Sequence, residues 1–149
     1  MPQSLAQIYV HLIFSTKGRA RLIPADLQPR LHAYIAGTLD AIECPAVKVG
    51  GMPDHLHILF RLSRTLSLSD VVKAVKVESS KWMKDDGGVR DFAWQAGYGA
   101  FSVSASDVDE VTAYIANQPE HHKVRTFQDE FRKLLQRYNL QYDEAYVWD

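Results

Sequence analysis

The order of elements in this sequence predicts an α+β protein with a ferredoxin-like, split βαβ fold. Short segments in which apolar residues alternate with period two are typical of strands, and two longer segments between them keep the spacing of amphipathic helices. The resulting order is β-α-β-β-α-β, followed by two further helices. We therefore expect an antiparallel sheet with helices on one face, plus C-terminal helices. A length of 149 residues suits one domain, so we expect a single domain over residues 1–149.

The first half of the chain supplies a strand, a helix and a second strand. Residues 8–14 are apolar on both faces, which is typical of a central strand. A basic loop with the sequence STKGRAR follows, and Pro24 suits the first turn of a helix. Residues 46–50 predict the second strand. The buried face of the helix before it is formed by Leu27, Leu31, Tyr34, Ile35, Thr38, Leu39 and Ile42.

Two more strands enclose a second long helix. Residues 55–62 predict the third strand, in which alternate side chains point to opposite faces. Residues 69–84 keep helical spacing, with Val71, Val75 and Trp82 on the core face. The segment WQAGYGAFSV, residues 94–103, predicts the last strand, and its two glycines indicate a bulge or a close backbone approach.

Two capping patterns predict the C-terminal helices. Ser106 followed by Asp109 forms a capping-box pattern before a helix that Pro119 should kink or end. Thr126 with Asp129 repeats the pattern before a helix over residues 127–138.

Composition and charge exclude several classes of protein. The net charge is −1 and the pI is about 6.6, which excludes a broadly basic protein but not a local basic patch. A single cysteine, Cys44, forms no internal disulfide and suits a reducing compartment. The start has no signal-peptide pattern, and no apolar run approaches the roughly 18 residues of a membrane helix. We expect a cytoplasmic protein.

The third predicted strand carries two histidines, in the sequence DHLHILF. His55 and His57 are two residues apart, so their side chains share one face with Cβ atoms roughly 6–7 Å apart. Two imidazoles in this arrangement can bind one metal ion. An isolated H-x-H pattern is more often a pair of polar residues on a solvated sheet face, so the spacing alone leaves both interpretations open.

Other candidate residues follow on helices and loops. Tyr114 and Gln118 are four residues apart and share a helix face, where a tyrosine can be a nucleophile and an amide oxygen can bind a metal. The alternative is a core tyrosine near a helix end. His121 and His122 are surface residues or reach a nearby metal, and His11 is interpreted as a core histidine. Phosphate-neutralising candidates are Lys17, Arg19, Arg21, Lys73, Lys76, Lys81 and Lys84.

Taken together, these segments resemble one known family. The strand with HLH, the lysine-rich helix, WQAGYGAFSVS and YIANQPEHH are similar to the single-tyrosine HUH transposases of the insertion-sequence 200/605 type. The similarity runs from YVHLIFSTK near the start to YDEAYVWD at the end. It implies an enzyme that cleaves and rejoins single-stranded DNA at hairpin-bearing ends, with Tyr114 as the nucleophile that forms a 5′-phosphotyrosine.

The resemblance also implies a metal site and partners. His55, His57 and Gln118 would hold Mg²⁺, with Mn²⁺ also suitable, and His121 or His122 would replace Gln118 if Pro119 distorts its backbone. Single-stranded or hairpin DNA would lie against Lys17, Arg19, Arg21, Lys73, Lys76 and Lys84. The family implies a homodimer in which the tyrosine helix of one chain can complete the site of the other, and no membrane.

Two alternative functions remain open at this point. A domesticated relative would bind hairpin DNA with little or no strand transfer, although it would have no need of Tyr114. A metal-dependent hydrolase would use His55, His57 and either His121 or His122 with an activated water, and would turn over without a tyrosine adduct.

Overall fold

A four-stranded antiparallel sheet organises the chain. The structure is a computed structural model that describes residues 2–123 and 125–149. Within these residues the strand order is β2-β3-β1-β4, with all neighbours antiparallel. This order and the helices around the sheet confirm the predicted α+β fold. The strands are β1 (Ile8–Ser15), β2 (Ala46–Met52), β3 (His55–Leu62) and β4 (Gly99–Val103).

Helices cover both faces of the sheet. They are α1 (Gln28–Ala41), α2 (Leu68–Asp85), α3 (Val108–Ala116), the one-turn α4 (Gln118–His121) and α5 (Phe127–Arg137). The larger core cluster joins α1 and α2 to one face of the sheet. Two smaller clusters join α3 and α5 to the other face. Among the described residues, no helix is long and apolar enough to cross a membrane.

The alternation of β3 separates a packing face from a polar face. Leu56, Ile58 and Phe60 are fully buried in the larger core, as the period-two pattern predicts. Burial of each such side chain stabilises the fold by about 1.5–3 kcal/mol. His55 and His57 point to the opposite face and are also fully buried, because α3, α4 and α5 cover that face. The alternative of a solvated sheet face is therefore wrong for these two histidines.

Close backbone packing brings the α3 helix onto the sheet near the histidines. Gly50 lies opposite His57 in the β2–β3 pairing. A Cβ at Gly50 would lie 2.8 Å from both the Cγ2 and the carbonyl oxygen of Ile115 in α3. A side chain at this position would force α3 outward, so the glycine fixes how near the end of α3 comes to β3.

Three local predictions need correction. The last strand begins at Gly99 and not at residue 94, because Trp94 forms only an isolated bridge with Thr16. The second strand continues past Gly50 to Met52, where it pairs with His55.

The capping box predicted at Ser106 does not form. Residues 105–107 make a 3₁₀ turn, and the Ser106 hydroxyl contacts that of Ser104. Among the described residues, α3 therefore begins at Val108 without a side-chain cap. By contrast, the Thr126 hydroxyl accepts a hydrogen bond from the Asp129 backbone N–H and caps α5 as predicted.

Candidate active site

The two histidines of β3 point into a buried polar cluster. His55 Nδ1 lies 2.8 Å from Asp54 Oδ1, and His55 Nε2 lies 3.0 Å from Gln118 Oε1. The His55 ring also stacks on Phe127, with 4.3 Å between the ring centroids. His57 Nε2 lies 2.9 Å from Glu130 Oε1, and burial lowers the pKa of His57. Both Nε2 atoms therefore face the same interior space between β3 and the C-terminal helices.

Tyr114 and Gln118 reach this space from above the sheet. α3 ends at Ala116, and Gln118 begins α4, with Pro119 in its first turn, where the missing N–H costs nothing. The predicted effect of Pro119 on the helix is confirmed. Gln118 is fully buried and donates its Nε2–H to Glu130 Oε2 at 2.9 Å. The half-buried Tyr114 also donates its hydroxyl proton to Glu130 Oε2.

Glu130 of α5 joins all of these groups and is not among the residues predicted from the sequence. Its side chain is only 1% exposed, and it accepts hydrogen bonds from Tyr114, His57 and Gln118. Burial raises the pKa of a carboxyl group, but hydrogen bonds from His122 and His57 outweigh that effect and hold the Glu130 pKa well below its ordinary value. Glu130 is therefore ionised and acts only as an acceptor.

The same charge acts on the tyrosine. Burial, followed by the Glu130 charge and the hydrogen bond to it, raises the pKa of Tyr114 above its ordinary value. At neutral pH the phenol keeps its proton, so Tyr114 in this arrangement is a weak nucleophile. A positive charge in the cluster would oppose this effect.

The two adjacent histidines differ in position. His122 Nε2 lies 3.0 Å from Gln118 Oε1 and 3.5 Å from Glu130 Oε1, whereas its Nδ1 lies 2.8 Å from the Arg125 carbonyl oxygen. The His121 ring instead packs against Tyr114, with 4.5 Å between centroids. Burial lowers the pKa of His122, but the hydrogen bond to Glu130 and its charge raise it overall.

The donor set fits a divalent cation. His55, His122 and Glu130 offer ligand atoms within 4.8 Å of one another, and His57 Nε2 and Gln118 Oε1 lie beside them. The separations between neighbouring donor atoms run from 2.9 Å to 3.8 Å. Ligands about 2.1 Å from an octahedral cation lie about 3.0 Å apart, so these side chains could hold a divalent cation.

The comparison with known protein families agrees with this geometry. Residues 4–118 match the model of the family described as Transposase IS200 like. The chain belongs to this family. The resemblance to this family, expected from the sequence, is thereby confirmed.

Solved structures share the fold of this IS200-like transposase. A provisionally assigned transposase from Deinococcus radiodurans R1 is 22% identical, with a TM-score of 0.61 over 79% of this chain and 98% of that chain. A REP-associated tyrosine transposase bound to a REP hairpin is 15% identical, with a TM-score of 0.60 over 82% of this chain and 73% of that chain. Among curated proteins, none matches the chain.

A basic cleft in the IS200-like transposase opens beside the cluster. Its volume is about 450 Å³. Two of the predicted DNA-binding residues, Arg19 and Arg21, line it together with His122. Lys123 and Arg125 also line it, and the sequence analysis did not single them out. Lys17 lies in a neighbouring cleft of about 580 Å³ that Trp148 and Asp149 share.

The lysines of α2 lie away from this cleft, because α2 packs on the opposite face of the sheet. Lys73 and Lys84 are exposed. Lys76 donates from Nζ to the carbonyl oxygens of Gln95, Ala96 and Gly97 at 2.8, 3.1 and 2.7 Å. Burial lowers its pKa to about 8. Contact of these lysines with DNA stays a prediction, and Lys76 would have to leave its three carbonyl partners to make it.

Proposed function

We propose that this IS200-like transposase cleaves and rejoins single-stranded DNA at hairpin-bearing ends through a phosphotyrosine at Tyr114. The observation that carries the proposal is that the Tyr114 hydroxyl and the imidazole of His57 both bond one buried carboxylate, Glu130. Gln118 and His55 complete the same cluster. The proposed nucleophile and the proposed cation ligands are thus adjacent within one chain.

The proposed cleavage step is a transesterification at the scissile phosphate. The Tyr114 oxygen forms a bond to phosphorus while the bond from phosphorus to the 3′ oxygen breaks. The products are a 5′-phosphotyrosine and a 3′-hydroxyl, which takes up a proton. In the rejoining step a 3′-hydroxyl attacks the phosphotyrosine and releases Tyr114. The number of phosphodiester-type bonds is unchanged, so the reaction needs no nucleotide cofactor.

The proton of Tyr114 already has an acceptor. The hydroxyl donates to Glu130 Oε2, so we assign Glu130 to receive the proton as the phenol attacks. His55, His57 and Gln118 would hold a cation, which would supply positive charge to a non-bridging phosphate oxygen. The same charge would lower the proton affinity of the adjacent phenol. Imidazole donors suit Mn²⁺ and oxygen donors suit Mg²⁺, and Mg²⁺ is our proposed occupant.

The basic cleft supports a path for the DNA strand. Arg19, Arg21, Lys123 and Arg125 line its wall, and His122 connects it to the cluster. Arginine can donate two parallel hydrogen bonds to one phosphate group, so a strand held in this cleft would lie beside His122, at the edge of the cluster. The hairpin bound by the REP-associated relative supports hairpin DNA as the substrate.

A covalent adduct tests the proposal. The protein is incubated with single-stranded hairpin DNA labelled at its 3′ end, which stays with the phosphotyrosine, and with Mn²⁺ or Mg²⁺, and the products are separated on a denaturing protein gel. We expect a labelled adduct that disappears in Tyr114→Phe. Tyr138→Phe is the matched control, because Tyr138 bonds only the Ser102 carbonyl oxygen among the described residues.

Three results would contradict the proposal. An adduct that persists in Tyr114→Phe would exclude Tyr114 as the nucleophile. Cleavage without any adduct in the native protein would favour the hydrolase. Tight hairpin binding without cleavage, for both metals, would favour the domesticated binding protein.

The adjacent histidines provide a test of the cation site. His122 Nε2 faces the cluster, whereas His121 packs on the Tyr114 ring. We expect His122→Ala to weaken Mn²⁺ binding by about 10-fold or more, as loss of a partner at a metal site does. His121→Ala should leave the affinity nearly unchanged. Isothermal titration with Mn²⁺ measures both, and equal affinities would contradict a part for His122 in the cation site.

We further propose that the active form is a homodimer. In a single chain, Tyr114 already contacts Glu130 of the same chain. Whether α3 of one chain also supplies its tyrosine to the partner's site is therefore tested separately from dimerisation. Light scattering gives the mass in solution. Mixing Tyr114→Phe with His57→Ala then decides the exchange, because activity returns only when one chain supplies the tyrosine and the other supplies the histidine.

A further inference from the structure

His11 of β1 is a buried histidine that contacts one member of the cluster. It is 4% exposed, and its Nε2 lies 2.9 Å from Nδ1 of His57. His11 is paired with Leu59 on β3, and His57 is paired with Ile13, so the two histidines are diagonal neighbours on one face of the sheet. Diagonal side chains across a β-ladder are within reach of each other when both are long. The proposed chemistry gives His11 no role so far.

The three imidazoles of the cluster share one arrangement. Each directs Nε2 into the cluster and holds Nδ1 against a neighbouring group. His55 Nδ1 is 2.8 Å from a carboxylate oxygen of Asp54, and His122 Nδ1 is 2.8 Å from the carbonyl oxygen of Arg125. Both partners are acceptors, so both Nδ1 atoms carry a proton. In each of these two rings Nε2 is then the atom that can bind a cation, once it carries no proton.

His57 differs because its partner is a second imidazole. An imidazole nitrogen either donates or accepts, so His11 does not by itself fix the proton on His57. When the cluster holds no cation, Glu130 sets the direction of the hydrogen bond between His11 and His57. The Glu130 carboxylate accepts from His57 Nε2 at 2.9 Å, so the neutral His57 ring carries its proton on Nε2. Its Nδ1 is then an acceptor, and His11 donates from Nε2.

Cation binding requires the opposite arrangement. The Nε2 lone pair of His57 must be free, so the proton of that ring must be on Nδ1. His57 Nδ1–H then needs an acceptor, and His11 Nε2 is the group in position to accept. We propose that His11 is a positioning residue for the cation site, and that the hydrogen bond between His11 and His57 reverses its direction when a cation binds. This inference rests on the proposed function, because it takes His57 as a ligand.

The protons balance in this step. The proton on His11 Nε2 passes to His57 Nδ1 along the existing hydrogen bond. The proton on His57 Nε2 leaves for solvent, and His11 Nδ1 takes up one proton from solvent. Both rings stay neutral, and the pair gains and loses no net charge. The change is therefore one of tautomer only.

The tautomers are measured directly on the native protein. The chain is labelled with ¹⁵N-histidine, and two-bond ¹H–¹⁵N correlation spectra are recorded in EDTA and after titration with Mg²⁺, which is diamagnetic. In EDTA we expect His11 and His57 both to carry the proton on Nε2. With Mg²⁺ we expect both to carry it on Nδ1, while His55 keeps its proton on Nδ1 throughout.

Two failures are distinguishable in this experiment. If Mg²⁺ leaves the His57 resonances unchanged, the proposed cation site is wrong, and the role of His11 falls with it. If Mg²⁺ changes His57 Nε2 while His11 keeps its proton on Nε2, the cation site stands and the inference about His11 is overturned.

Variants at position 11 test the role independently. His11→Gln places an amide oxygen where His11 Nε2 lies, so an acceptor for His57 Nδ1–H is kept. His11→Phe has a ring of similar size and no acceptor. We expect His11→Phe to weaken Mn²⁺ binding about 10–100-fold, as loss of an outer partner of a ligating histidine does, and His11→Gln to keep most of the affinity.

Folding and specificity are controlled in the same series. Thermal unfolding in EDTA shows whether His11→Phe is folded. If this variant is unfolded, the Mn²⁺ affinity of His11→Gln and the spectra of the native protein test the role of His11. His32→Phe is the matched control, because His32 lies on α1 outside the cluster. Equal Mn²⁺ affinity in folded His11→Phe and in the native protein would overturn the inference, as would a loss in His11→Gln as large as that in His11→Phe.

Discussion

Replacement of Glu130 by alanine should destabilise the cation-free protein more than any other change in the cluster. The carboxylate is 1% exposed and accepts from the Tyr114 hydroxyl, from His57 Nε2 at 2.9 Å and from Gln118 Nε2 at 2.9 Å. Glu130→Ala removes all three acceptor contacts at once. Two of the three donors, on His57 and Gln118, are fully buried and would be left unpaired.

The magnitude follows from the cost of unpaired groups. Each buried donor that loses its partner costs about 1–3 kcal/mol, and hydrogen bonds to a charged group are worth about 1.5–3 kcal/mol. These terms overlap, so their sum is an upper bound. The two buried donors left unpaired, on His57 and Gln118, set the expected loss at about 2–6 kcal/mol at pH 7. Glu130→Gln keeps the volume and one acceptor oxygen, and should cost roughly half as much.

Urea unfolding in EDTA, followed by tryptophan fluorescence, measures the loss. Asp129→Asn is the matched control, because Asp129 is the exposed neighbour on α5 and pairs only at the surface with Arg132 at 3.3 Å. That change should cost less than about 0.5 kcal/mol. A Glu130→Ala loss as small as that of the control would refute the buried arrangement of the cluster.

The pH dependence of this difference has a definite sign. The folded-state pKa of Glu130 is held below its ordinary value of 4.5, so its stabilisation is fully present above pH 4.5. As pH falls below 4.5 the unfolded chain takes up the proton first, and the stabilisation is lost. The free energies of unfolding of the native protein and Glu130→Ala should therefore converge in acid and stay apart above pH 4.5.

The remaining predictions concern the scaffold. Gly99→Ala should lower the free energy of unfolding in urea by about 1–3 kcal/mol, because the new Cβ would lie 2.7 Å from Phe131 Cζ. At Gly37 a Cβ would have no described atom within 4 Å outside its own helix, so Gly37→Ala should raise the free energy of unfolding by about 0.5–1 kcal/mol. Burial lowers the pKa of His32 from 6.5 to about 4, so the free energy of unfolding should rise as pH rises from 4 to 6.5. At 1.36 kcal/mol per pKa unit the rise is at most about 3 kcal/mol, and His32→Gln should flatten it. Ser67→Ala removes the cap of α2 and should lower the free energy of unfolding by about 1 kcal/mol.

The fold was predictable because its signals are local. Alternation along residues 8–14 and 55–62 gave the two central strands, and the element order gave the sheet order, since short connections allow few topologies. The ends of elements were harder to predict. Ser106 and Thr126 carry the same capping pattern, yet only Thr126 caps a helix, because residues 105–107 form a 3₁₀ turn first.

The residues of the candidate site also differ in how far the sequence predicts them. The convergence of His55 and His57 follows from strand spacing alone, whereas Gln118 depended on the backbone at Pro119, and the proline proved to start a new helical turn. Glu130 is brought to the site only by the packing of α5, which no local pattern predicts. One signal did exist: Phe127, Phe131 and Leu135 form the buried face of that helix, and Glu130 lies within it. A carboxylate among apolar residues needs a buried partner to be stable. In a chain with two convergent histidines and a candidate tyrosine, that requirement points to the same cluster.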